Sequence, residues 1–153
     1  SDPAAYCATI MHEAEKAAHV DAEKRFTVAK VDEDQRLVFG WASVSISKDG
    51  SQLVDLQDDI IDPADLETAA YDFMLYSRGV DEMHRGRVKG QMVESLVVTP
   101  DKLAAMGLEA KNAPRAAWWV GFKLDPDAFA KVKSGDYKMF SIECSATPEQ
   151  VEA

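Results

Sequence analysis

Basic charge, cysteine, histidine and long apolar runs are all scarce in this chain, and each scarcity removes a class of function. The 17 Lys and Arg side chains are outnumbered by 27 Asp and Glu, a net charge of −10. A protein whose task is to grip phosphate backbones is therefore not expected, and nucleic acid is not an expected partner. Only Cys7 and Cys144 occur, too few within one chain for a disulfide framework or a four-thiolate metal site, so a reducing compartment is expected. The longest uninterrupted apolar stretch, Ala116 to Phe122, is far shorter than the ~20 residues a bilayer requires. No secretory or transit signal is evident, and no membrane partner is expected. Neither an internal repeat nor a low-complexity linker is present.

What is there has the proportions of a soluble globular domain: 46% hydrophobic and 29% charged residues over 153 positions, enough chain for one compact core. Residues 3–25, rich in Ala, Glu and Lys without glycine, predict a weakly amphipathic helix, set apart as an N-terminal helical arm over 1–25 from a domain over 26–153. From Phe26 the pattern becomes that of strands: Phe26 to Val31, Arg36 to Ile46, a return through the Asp49-Gly50 turn into Ser51 to Leu56, then Val88 to Val98, Ala116 to Lys123 and Tyr137 to Ala146. Asp62-Pro63, Thr99-Pro100 and Asp125-Pro126 each pair a capping residue with proline at the first helical position, so each predicts a helix start. Gly107 and Gly135 are the expected stops of the second and third helices. Strands outnumber short, irregularly placed helices, which predicts an α+β fold: a mostly antiparallel sheet closed into a β-barrel, with peripheral helices and the N-terminal helix.

Histidine is the side chain most often used as a base near neutral pH, and there are three. His12 and His19, seven positions apart in the expected helix, lie ~10 Å apart along its axis and do not share a metal easily. His84 differs: it follows the turn-like Arg78-Gly79-Val80-Asp81 and precedes Arg85-Gly86-Arg87, a loop-to-strand junction of the kind that displays catalytic groups, although a loop histidine bonded to nearby backbone fits as well. In Val88 to Val98, strict alternation puts Glu94 in the more apolar row with Met92 and Leu96. A carboxylate buried there needs a partner, either a histidine or an Arg or Lys; an outward-facing edge strand is the other reading. In Lys138 to Ala146, Phe140, Ile142 and Cys144 alternate with Ser141, Glu143 and Ser145. A serine held on a strand between bulky neighbours suits a nucleophile, but is also a common surface residue.

These residues, taken in order, resemble the XkdF-like phage serine proteases. The resemblance rests on Phe39-Gly-Trp-Ala-Ser-Val44, Asp55 to Ile61, Leu66 to Phe73, Met83-His84, Val93-Glu-Ser95, Trp118 to Phe122 and Lys133 to Ile142. It implies kinship with the wider prohead proteases and with the herpesvirus assemblin barrel. It implies His84 paired with Ser141 of Phe-Ser-Ile, with Ser95 a competing nucleophile, Glu94 the first choice of third group and Glu143 the second. Glu143-Cys144 stands where a glycine often follows Ser-Ile in the commoner form. The implied chemistry is peptide hydrolysis, His84 taking the Ser141 proton while Glu94 orients the ring, with the Arg85-Gly86-Arg87 turn a contributor to an oxyanion hole.

By the same resemblance the substrates are scaffold and major capsid proteins, and the protease itself, inside the phage procapsid in the host cytoplasm. A homodimer is suggested by analogy, with the third helix as an interface, and no cofactor is expected. Two rivals stand beside it. One is a catalytically silent assembly or scaffold-binding module of the same fold. The other is a metal-assisted hydrolase using Asp55, Asp58, Asp59, Asp62 and Asp65, whose spacing fits no calcium loop and whose Asp62 reads better as a helix cap.

Overall fold

The computed structural model describes residues 7–11, 28–53, 60–82 and 88–143. Its elements are strand β1 (Cys7–Met11), β2 (Val28–Asp32), β3 (Leu37–Ile46), helix α1 (Pro63–Tyr76), β4 (Gly79–Glu82), β5 (Val88–Val98), α2 (Pro100–Ala105), β6 (Ala116–Leu124), α3 (Pro126–Lys133) and β7 (Met139–Glu143). The strands form one sheet in the order β2-β3-β6-β5-β4-β1-β7. Every pairing is antiparallel except β1 with β4.

Local chemistry accounts for the helices. Asp62 Oδ1 accepts from Ala64 N at 2.8 Å, Thr99 Oγ1 from Lys102 N at 3.3 Å and Asp125 Oδ1 from Ala128 N at 2.8 Å. In each helix proline follows the cap, where its missing N–H costs nothing. Gly107 (φ 74°) and Gly135 (φ 82°) follow α2 and α3 in the left-handed conformation that glycine adopts freely. The stripe Leu66, Ala69, Ala70 and Phe73 of α1 is buried. Phe73 meets Trp118 and Phe122 edge-on, with ring centroids 5.6 and 6.5 Å apart, and Ala128, Phe129 and Val132 of α3 join the same core.

The β2–β3 turn is closed by Asp32, whose Oδ1 accepts from Gln35 N at 3.0 Å, with Arg36 at φ 56°. That backbone donor holds the Asp32 carboxyl below its ordinary value. After β3 the turn at Asp49-Gly50 forms as expected, but the return strand is reduced to a single bridge between Ile46 and Gln52. Residues 54–56, the rest of that expectation, lie outside the described residues.

Two expectations need correction. The sheet is mostly antiparallel and the fold α+β, but the sheet does not close into a barrel. Its ends approach, with β7 close to β3 and Val28 N donating to Lys138 O at 2.7 Å. Among the described residues no strand ladder joins those ends, because both end strands are only five residues long and the β2–β3 ladder is broken by a register shift at Val28/Lys30. The helix expected over 3–25 does not run through Cys7–Met11, which is a strand between β4 and β7. Residues 12–25 lie outside the described residues.

Candidate active site

Strand register determines which candidates share a face. Val80 is fully buried, and its row runs through Ala8 to Ile142 on one side and through Gly90 to Leu124 on the other. This is the face covered by helices. The next register row runs from Asp81 through Thr9 to Ser141. At ~4.8 Å between strands, Ser141 and Asp81 lie roughly 10 Å apart across β1. Asp81 pairs in turn with Val88 at the start of β5. An open groove of about 430 Å³ begins there, lined by β5 from Val88 to Val93 and by Lys123, Leu124 and Asp125.

His84 lies outside the described residues, as do His12 and His19. Of the acidic run, Asp55, Asp58 and Asp59 also lie outside the described residues. Asp62 caps α1, and among the described residues no group of acidic, histidine or cysteine side chains is arranged to hold a metal.

The β5 candidates fall differently from the sequence pattern. Met92 pairs with Phe122 but Glu94, not Val93, pairs with Gly121, so one extra residue is inserted at this point. That bulge inverts the alternation beyond it. Met92, Ser95 and Val97 thereby share rows with Phe122, Val120 and Trp118 on the helix-covered face, while Glu94 and Leu96 pair with Gly121 and Trp119 on the other. Glu94 is exposed; the expected burial in an apolar row is corrected. From Val88 to Glu94 is six residues of β5, a displacement of about 20 Å along the strand at ~3.3 Å per residue.

Ser95, the competing nucleophile, is engaged: the indole Nε1–H of Trp118, a fully buried ring, donates to its Oγ at 2.8 Å. Glu143 pairs with Cys7, two residues along β7 from Ser141 and on the side away from the end of β4. Away from this row, Lys102 is held by three partners, with Nζ donating to Tyr71 OH at 2.8 Å, Val97 O at 3.1 Å and Glu67 Oε2 at 3.3 Å. Burial pushes its pKa down, but the bonds to Tyr71 and Glu67 outweigh that and the net direction is upward.

Sequence reading did not foresee that Thr9 would stand between Ser141 and Asp81 in the register of adjacent strands, because the parallel β1–β4 pairing leaves no local signal.

Among known families, the model described as putative phage serine protease XkdF matches residues 24–152. No curated protein and no solved structure matches the chain.

Proposed function

We propose that this chain, which belongs to the family of the phage serine protease XkdF, is a serine endopeptidase of phage capsid maturation with Ser141 as nucleophile and His84 as general base. The observation that carries the reading is the strand order: only β1 separates β7, which holds Ser141, from β4. In the chain His84 follows Glu82, the last residue of β4, by two positions, with 57 positions between it and Ser141; the adjacency of β4, β1 and β7 supports pairing the two.

In this reading the Ser141 oxygen forms a bond to the substrate carbonyl carbon as its proton passes to His84. The carbon–nitrogen bond then breaks, His84 returns the proton to the leaving amine, and water attacks the resulting ester to regenerate the serine. Backbone N–H groups stabilise the intermediate oxyanion. The proposed substrates are scaffold and major capsid proteins in the procapsid, and the protease itself, with a homodimer as the working assembly by analogy with assemblin-type enzymes. The decisive test is incubation of the purified protein with scaffold protein, followed by mass mapping of fragments. The wild-type chain cuts and Ser141→Ala does not; the same fragments from Ser141→Ala would sink the proposal.

A further inference from the structure

We infer that the face of the sheet turned away from α1 and α3 is a contact surface for a second copy of this chain, related to the first by a two-fold axis that runs along the strands between β3 and β6. Such a contact is independent of the catalytic reading above. The observation behind it is one register row across four strands: Lys30 of β2, Phe39 of β3, Gly121 of β6 and Glu94 of β5. Side-chain positions agree that the row shares a face. The Lys30 ammonium stands over the Phe39 ring, 5.2 Å from its centroid. A Cβ at Gly121 would meet Phe39 Cδ1 at 2.7 Å and Glu94 Cβ at 3.2 Å, so glycine there lets the ring lie between the two ions. Val38, Phe122 and Met92, which pair in the adjoining row, belong instead to the core that the helices cover.

The row is antisymmetric in charge, with a cation at one end and an anion at the other, three strand intervals or about 14 Å apart. Rotation about an in-plane axis between β3 and β6 exchanges β2 with β5 and β3 with β6. It sets Lys30 of each copy opposite Glu94 of the other, the self-complementary pattern that a two-fold contact requires. The next row on this face, Trp41–Trp119–Leu96, then brings Trp41 of one copy opposite Trp119 of the other. These two rings already meet edge-on within one chain, centroids 5.1 Å apart, and both are half-buried, so a second sheet covers apolar area still open to water. Aligned sheets pack about 10 Å apart, a gap that a lysine and a glutamate close from opposite sides. Lys30 and Glu94 are both exposed, and among the described residues neither forms a salt bridge. At a net charge of −10 two copies repel at long range, so a contact between them needs a local pairing of this kind. The third helix offers less, because its Ala128, Phe129 and Val132 are already buried. The patch is roughly 20 Å on a side, at the low end for a specific interface, so a dissociation constant of about 10–100 µM is expected.

The experiment is sedimentation velocity of the full chain from about 1 to 500 µM, with tryptophan emission followed over the same range. The wild type passes from monomer to dimer, and its emission shifts to shorter wavelength as Trp41 and Trp119 are covered. Glu94→Lys and Lys30→Glu, each checked for native near-ultraviolet circular dichroism, put like charges opposite each other twice per dimer and weaken association at least ~10-fold. Both do so although one lowers the net negative charge and the other raises it. Mixed in equal amounts the two variants associate with each other, since every glutamate then meets a lysine, and the double variant Lys30→Glu/Glu94→Lys returns to wild-type association. A wild-type chain that stays monomeric at every concentration overturns the inference. So does a dimer that Glu94→Lys leaves intact, which places the contact on another face, and so does a mixture of the two single variants that remains monomeric.

Discussion

The indole N–H of Trp118 has been taken fully out of water and is satisfied by one hydroxyl, that of Ser95. Ser95→Ala leaves that donor unpaired in the core, so unfolding in urea should show a loss of about 1–3 kcal/mol. A backbone position on the same strand is less forgiving: a Cβ at Gly90 would lie 2.4 Å from Lys123 O and 3.0 Å from Leu124 Cα. Both obstacles are main chain of the paired strand and cannot swing aside. Gly90→Ala is therefore expected to lower the thermal midpoint by more than Ser95→Ala does, by roughly 3 kcal/mol or more in stability. These residues also show where sequence reading stops. Alternation assigns Glu94 inward and Ser95 outward, and a single inserted residue near Val93 exchanges them. Nothing in Met92-Val-Glu-Ser95 announces that bulge, because it is set by the pairing with β6.

Elements were legible where their ends are written in short-range chemistry. The three helix starts follow from Asp62, Thr99 and Asp125, each bonding its own first turn and each followed by proline. Asp62→Ala should cost about 1 kcal/mol in urea unfolding, since the Ala64 N–H loses its acceptor. Asp125→Ala should cost slightly more, because Asp125 also pairs with Lys89 at 3.6 Å on a partly exposed surface. The turn after β3 adds a pH dependence. The Asp49 carboxyl is held well below its ordinary value by the Ser47 hydroxyl first, then by the Ser51 hydroxyl and the Ser51 N–H. A carboxyl depressed on folding contributes stability above its unfolded pKa and loses it as the pH falls through the folded one. Urea midpoints of the wild type should therefore fall more steeply below pH ~3.8 than those of Asp49→Asn, whose side chain does not titrate. Strands β1 and β4 were illegible for the opposite reason. Cys7-Ala-Thr-Ile-Met11 stands in a helix-favouring context, Gly79-Val-Asp-Glu82 has one large apolar residue, and both are strands only because they pair with each other and with β7 and β5.

Across the whole molecule the sheet divides into a packed part and an attached part. Strands β3, β5 and β6 carry the rows that meet α1, with Trp118, Val120 and Phe122 fully buried. The ladder that ties β7 to this body runs through β1, which alone separates it from β4. Strand β1 comes from residues that precede the family match, which begins at 24. Removing residues 1–23 should then separate two properties that usually fall together. The core around Phe73, Trp118 and Phe122 loses none of its own side chains, so cooperative unfolding and the near-ultraviolet signal of its aromatic rings should persist with a reduced midpoint. Strand β7, which holds Ser141, loses the strand it pairs with, so fluorophosphonate labelling should fall at least ~100-fold, because positioning of this kind supplies much of a catalytic rate. A peptide spanning residues 1–23, added in excess, should restore part of the labelling by pairing again between β4 and β7. Full labelling of the truncated chain without that peptide would mean that β7 reaches β4 by another route, and that β1 is not what aligns the site.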